Sequence, residues 1–252
     1  MNHKREFLDL LLKKNALKIA KDANSFFKLK SGRMSPTFAS IGSLTDGESL
    51  AILKKGYSAA AFDGVKNGIL KDFQYVFGPA YKGINLCALT CEGLYEQFSK
   101  NTCYLYDRKE EKTHGEVTQG SEASKVIVGA EKFVQGGGIL LVDDVITTGQ
   151  AKYEALEKIR LLGKYTLAGM VIAVDRQELM GDANTAGTQS AVQAMDTELG
   201  IKTVAILTMQ NIFAFVKDSL DKNVRRSWVE YYEKFGAVRM DCLLYTSPSP
   251  RD

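Results

Sequence analysis

Cysteine, histidine and proline are scarce in this chain: four, two and four among 252 residues. Cys87, Cys91, Cys103 and Cys242 are too few for the disulfide framework of a small secreted scaffold, and a reducing, cytoplasmic setting suits them. Cys87 and Cys91 stand four residues apart on an expected helix and could in principle ligate a metal. The only histidines are His3 and His114, so a zinc site would lack obvious partners and core packing is the better reading. Hydrophobic residues make up 45% of the chain, yet no run of them is long enough to span a membrane. Asp9, Lys13 and Lys14 interrupt the apolar stretch that a signal peptide needs after its first charges. A net charge of +3 is too mild to call for nucleic acid, and no helix-turn-helix segment is visible. There is no Gly-Lys-Ser/Thr run for a nucleotide triphosphate, and Gly136, Gly137 and Gly138 precede a strand, the wrong side for a dinucleotide fingerprint.

What is present is alternation. Phe7, Leu10, Leu11 and Leu17 predict an amphipathic helix over 3–20. Residues 24–45, rich in Ser, Gly, Phe and Thr with Pro36 among them, read as a hairpin or irregular arm. Asp46 is the expected N-cap of a helix through about residue 62. Strands at 74–77, 103–106, 139–142, 167–174 and 203–207 then alternate with helices at 82–99, 150–162 and 190–199. This order predicts an α/β fold, a central parallel sheet flanked by helices, with ligands beyond the carboxyl ends of the strands. The loops after residues 77, 106, 142 and 174 would ring one crevice. Residues 1–240 read as a single domain, with a hood over about 1–60, a core over about 61–210 and C-terminal helices over about 208–236. Residues 241–252 hold two of the four prolines and continue no period, so they are read as a non-native or disordered tail.

The most informative stretch is 139–151, Ile-Leu-Leu-Val-Asp-Asp-Val-Ile-Thr-Thr-Gly-Gln-Ala. Four apolar residues read as a buried strand ending in two carboxylates, Asp143 and Asp144. The small, hydroxyl-rich turn that follows opens a helix with Ala155, Ile159 and Leu162 at i, i+4 and i+7. Backbone N–H groups of 145–149 would converge at that helix N-terminus, which suits a phosphate. Like charges keep Asp143 and Asp144 from being phosphate ligands, but they can accept hydrogen bonds from vicinal sugar hydroxyls. A sugar phosphate is the natural guest. Paired Asp at the end of an apolar strand could also be a solvated acidic pair, the less favoured reading.

This stretch resembles the phosphoribosyl-pyrophosphate (PRPP) motif of type I phosphoribosyltransferases. A second segment, Arg108-Lys-Glu-Glu-Lys-Thr-His-Gly115, crowds three cations and the interior histidine together. On spacing alone it reads equally well as a solvated loop or a lid. It is similar to the flexible flap of the orotate phosphoribosyltransferase family, which closes over pyrophosphate, often from the neighbouring subunit of a dimer. Arg108, Lys109, Lys112 and His114 match the flap ligands, while Val117-Thr118-Gln119 departs from the Gly-Gly common after the Glu. Mobile cations arriving on closure would stabilise the charge that gathers on the leaving pyrophosphate.

Three further segments extend the resemblance. Phe77-Gly-Pro-Ala-Tyr-Lys-Gly83 lets backbone approach an anion closely, and in that family it holds the pyrophosphate side of PRPP through Tyr81 and Lys82. In Leu29-Lys-Ser-Gly-Arg-Met-Ser-Pro-Thr-Phe-Ala39, Lys30 matches a PRPP contact and Phe38 the pyrimidine-stacking region. Ala39 stands where a second Phe is common and Met34 where Lys is common, so stacking is weaker or supplied elsewhere. In Ala173-Val-Asp-Arg-Gln177, Arg176 can offer a bidentate fork to a planar carboxylate or pair with a neighbouring acid. The family uses it for orotate.

The resemblance runs from about residue 24 to 177 and implies an orotate phosphoribosyltransferase activity with PRPP and orotate as substrates. It implies catalytic roles for Arg108, Lys112, Asp143 and Asp144. PRPP binding would fall to Lys30, Tyr81, Lys82, Arg108, Lys109, Lys112, His114, Asp143, Asp144, Val145, Ile146, Thr147, Thr148, Gly149, Gln150 and Ala151. Orotate binding would fall to Phe38, Ala39, Thr147 and Arg176. Mg²⁺ is expected mainly through PRPP, with no direct protein ligand. A homodimer sharing its flaps is expected, without nucleic acid or membrane partners. The alternatives are a purine or uracil transferase of the same fold, which should lack the flap and Arg176, and a PRPP-binding regulator.

Overall fold

The computed structural model describes residues 3–110, 122–146 and 150–240, without the side chains of Ala23 and 150–152. Lys112, His114, Thr147, Thr148, Gly149, the tail 241–252 and the side chains of Gln150 and Ala151 therefore lie outside the described residues.

The N-terminal segment begins with α1 (His3–Lys13), shorter than the helix predicted over 3–20. Asn15 takes a left-handed φ of 53°. The Ala16 and Asn15 N–H groups then bond the Leu11 and Leu12 carbonyls at 2.9 and 3.1 Å, a Schellman stop with Asn in the usual glycine place. Leu17, which continued the apolar period, instead enters β1 (Leu17–Ile19), and β2 (Phe27–Lys28) pairs with β3 (Met34–Ser35). β1 pairs antiparallel with β4 (Thr37–Ala39), setting Leu17 opposite Ala39. α2 spans Gly47–Lys66, and its N-cap Asp46 accepts the Ser49 N–H as expected.

The core strands are β5 (Tyr75–Phe77), β6 (Cys103–Asp107), β7 (Ile127–Val128), β8 (Gly138–Asp143), β9 (Thr166–Asp175) and β12 (Thr203–Thr208). They form one six-stranded sheet in the order β12-β9-β8-β5-β6-β7. All neighbours are parallel except β7, an antiparallel edge strand that the sequence did not announce. Between them lie α3 (Lys82–Phe98), α4 (Glu122–Val126), α5 (Gln150–Ile159) and α6 (Ala191–Leu199), and the chain continues into α7 (Met209–Val216) and α8 (Lys222–Phe235).

Two hydrophobic cores follow from the period of two in a strand, because both faces of a parallel sheet are covered. Ile139 and Leu141 join Tyr75, Phe77, Met170 and Ile172 beneath α4, α5 and α6. Leu140 and Val142 point the other way and join Val76, Val171 and Ala173 beneath α1, α2, α3, α7 and α8. β8 is thus buried on both faces, as its unbroken apolar run required. Cys87 is buried in the second core, and its thiol donates to the Val76 carbonyl at 2.9 Å. A hairpin of β10 (Leu179–Gly181) and β11 (Ala186–Ser190) was not expected, since its residues show no apolar alternation. Its turn is built by Asp182, which accepts the Asn184 and Thr185 N–H groups, both at 2.8 Å.

Candidate active site

The parallel strands β5, β6, β8 and β9 deliver their carboxyl ends to one rim. At the end of β5 the chain turns sharply through 78–82 into α3. A Cβ on Gly78 would meet the Gly83 carbonyl oxygen at 1.9 Å, so this turn closes only with glycine. Within it, the Ala80–Tyr81 peptide is cis and Tyr81 is 73% exposed. Lys82, at the start of α3, reaches across to β8 and donates to Asp144 Oδ2 at 2.7 Å. Gly42 of the N-terminal segment faces the end of the Lys82 side chain: a Cβ there would meet Cε at 3.6 Å and Nζ at 3.8 Å. Three separate parts of the chain therefore meet at Lys82.

The two acids at the end of β8 are not equivalent. Asp144 is 8% exposed, takes Lys82 on Oδ2 and accepts the Val145 N–H on Oδ1 at 2.9 Å. Asp143 is half-buried, and its Oδ1 accepts the Asp144 N–H at 2.8 Å. The Asp143 carbonyl is fixed from beneath by the Tyr57 hydroxyl of α2 at 2.8 Å. Burial, then the charges of Asp143 and Asp144, push the Tyr57 phenol well above its ordinary value, so it remains a protonated donor. The Asp144 hydrogen bond raises the Lys82 ammonium above its ordinary value. Val145 and Ile146 are half-buried and pack against opposite cores, which pins the start of the turn leading to α5.

At the end of β9, Arg176 pairs with a neighbouring acid, the simpler of the two readings of its sequence. Its Nη2 donates to both Glu178 oxygens at 2.6 and 2.7 Å. Tyr232 donates to the Arg176 carbonyl at 2.7 Å, and Gln177 and Gln210 exchange amide contacts that fix the next residue. Arg33, 2% exposed, binds the carbonyls of Leu179, Met180 and Asp182, lies 3.8 Å from Glu178 and covers the Phe235 ring. It ties the arm to the β10–β11 hairpin.

Other predicted residues are less engaged. Lys30 and Lys109 are exposed, and no hydrogen bond or ion pair links them to the acidic pair among the described residues. Phe38 is 40% exposed with Phe27 beside it at 6.1 Å between centroids, and Ala39 is half-buried. Arg108 is half-buried, and its Nε has no hydrogen-bond partner among the described residues. Sequence reading missed Tyr57, Arg33, Glu178, Asp107 and Lys158. Only Asp107 carried a signal, an acid at the end of a strand.

The chain is 37% identical over 235 residues to the orotate phosphoribosyltransferase of Salmonella paratyphi A, an alignment covering 93% of this chain and 98% of that protein. The solved orotate phosphoribosyltransferase of Francisella tularensis superposes with a TM-score of 0.74 at 32% identity, over 92% of this chain and 99% of that one. The chain belongs to the orotate phosphoribosyltransferase family. No protein-family model matches it. A Mycobacterium tuberculosis orotate phosphoribosyltransferase solved with PRPP, at 16% identity and a TM-score of 0.53, shares the fold. Like other orotate phosphoribosyltransferases, the chain is a pentosyltransferase. Among its described residues there is no group of three His, Cys, Asp or Glu that could hold a metal, and no helix is long and apolar enough to cross a membrane.

Proposed function

We propose that this chain transfers the 5-phosphoribosyl group of PRPP to orotate, giving orotidine 5′-monophosphate and pyrophosphate in pyrimidine nucleotide synthesis. The observation that carries the reading is the 2.7 Å contact between Lys82 and Asp144. It brings the turn that resembles a pyrophosphate loop against the acidic pair that resembles a ribose-binding motif. A donor with a pyrophosphate on its ribose needs those two chemistries side by side.

Displacement at the ribose C1 would pass through an oxocarbenium-like state, by analogy with glycoside chemistry, with the orotate ring nitrogen attacking. Asp143 and Asp144 position the ribose hydroxyls, and their charge favours the developing positive centre. The 145–151 segment grips the 5′-phosphate at the N-terminus of α5, with Thr147 nearest the pyrimidine. Lys82, Arg108, Lys109, Lys112 and His114 take the pyrophosphate, Lys30 a further PRPP contact, Phe38 and Ala39 the ring face, and Arg176 the orotate carboxylate. Residues 1–60 act as a hood on the single domain, and the Gly42–Lys82 approach supports that role.

Mg²⁺ fits these residues as an ion carried by substrate oxygens, because acids of the rim are already engaged by cations of the chain: Asp144 holds Lys82 and Asp107 holds Lys158. When bound it would neutralise charge on the leaving pyrophosphate. The reading places the protein in the cytoplasm as a homodimer. Incubating the purified chain with PRPP, Mg²⁺ and each base in turn tests it through the ultraviolet absorbance of orotate. Loss of orotate absorbance is expected, and turnover of a purine or uracil instead, or of no base, would overturn it.

A further inference from the structure

Asp107 is a buried acid at the end of β6, 5% exposed, that the chemistry above leaves unused. Its two oxygens serve different parts of the chain. Oδ1 accepts the Ala80 N–H at 2.6 Å, inside the 78–82 turn. Oδ2 accepts Lys158 Nζ at 2.6 Å, from the last turns of α5. The same ammonium donates to the Arg108 carbonyl at 2.9 Å, where the basic loop leaves the sheet. The Arg108 N–H is fixed in turn by the Val126 carbonyl at 2.7 Å. One carboxylate and one ammonium thus hold the turn, the root of the basic loop and α5 in a common register.

We infer that Asp107 is a positioning residue for the pyrophosphate end of the donor, acting with Lys158 through the Ala80 backbone and the Arg108 carbonyl. This rests on the reading that PRPP is the donor. A buried acid with two charge-assisted bonds to separate elements costs much to leave unpaired, so the two partners hold each other in place. The elements they join would hold the two charged ends of PRPP: the turn and the basic loop its pyrophosphate, and α5 its 5′-phosphate. Orotate touches none of the three through Asp107, so loosening the junction acts on one substrate.

The test compares the unaltered full chain with D107N, D107A and K158M in steady-state kinetics run in both directions. Asn keeps an acceptor for the Ala80 N–H but loses the ionic hold on Lys158. We expect KM for PRPP and for pyrophosphate to rise about tenfold or more in D107A, the scale of losing one charge-assisted hydrogen bond. D107N should lie between D107A and the unaltered chain, with KM for orotate changed by less than about twofold in each variant. Adding K158M to D107A should cost little more than D107A alone, because the pair acts as a unit. Equal rises for both substrates, or a fall in thermal stability with unchanged kinetics, would overturn the inference. Failure of the unaltered chain to consume orotate with PRPP would instead overturn the function it rests on. If D107A does not fold, D107N and K158M carry the same comparison.

Discussion

Arg176 shows how one residue can meet a structural reading and still leave room for a functional one. Glu178, 9% exposed at its side chain, takes both its bonds from Nη2, while Arg176 keeps 29% exposure. Among the described residues no hydrogen bond engages Nε or Nη1, so part of the guanidinium remains for a guest carboxylate. Sequence showed that a fork stood at the end of a strand, but not which acid would meet it. Glu178 is only two residues away, yet its approach depends on the β10–β11 hairpin and on Arg33, more than a hundred residues upstream. Arg176→Ala should raise KM for orotate by about ten- to a hundredfold, the value of a charged hydrogen bond, and leave KM for PRPP nearly unchanged. Comparable rises for both would show that the arginine is not the carboxylate's partner. For the loop cation Lys112, outside the described residues, Lys112→Ala should lower kcat by roughly 10²–10³, the scale of one lost transition-state charge donor. An unchanged kcat at saturating substrate would remove the basic loop from the chemistry.

Among the elements, those with one strong local signal were legible and those defined by distant partners were not. The β8 run needed two covering layers and has them. Asp46 capped α2 as its residue type suggested. The first helix was read too long, because Leu17 satisfies a helical period and a strand equally, and Asn15 decides between them. β7 is two residues long and takes its direction from β6, which no local pattern encodes. Asp46 gives a pH test of this level. The Lys14 side chain, followed by the Ser49 N–H, holds its carboxyl down to about 2, from an ordinary 3.8. A depressed carboxyl adds stability fully present above its unfolded value and lost as pH falls through the folded one. Asp46→Asn keeps a good N-cap but removes the charge, so it should destabilise the chain near neutrality. The difference from the unaltered protein should shrink below about pH 4 and vanish only below about pH 2, followed by urea denaturation. A pH-independent difference would mean the cap geometry and not the charge matters. At the 78–82 turn, Gly78→Ala should cost about 1–3 kcal/mol by overpacking against the Gly83 carbonyl, read from the same denaturation curves. It should also weaken PRPP binding, since the turn must open to admit the methyl group.

At the scale of the whole molecule, the parallel sheet explains why site residues far apart in sequence share a rim. Alternating strands and helices made that arrangement readable, since ligands gather where parallel strands end. The N-terminal segment was readable only as an arm; the β1–β4 pairing shapes it from within, and its attachment comes from Arg33 and Gly42, each an encounter between distant parts. The remaining question is whether one chain holds a complete site. If the basic loop serves the neighbouring subunit of a homodimer, Lys112→Ala and Arg176→Ala damage different parts of a shared centre. Mixing the two impaired proteins and letting subunits exchange would then place both lesions in one site and leave the other intact in each heterodimer. Random exchange makes half the dimers mixed, so activity should recover to about a quarter of the unaltered level under closed two-fold pairing. A loop that serves its own chain puts one lesion in every site, and the mixture then recovers nothing. The outcome is read as orotate turnover before and after exchange, with sedimentation confirming that dimers are present.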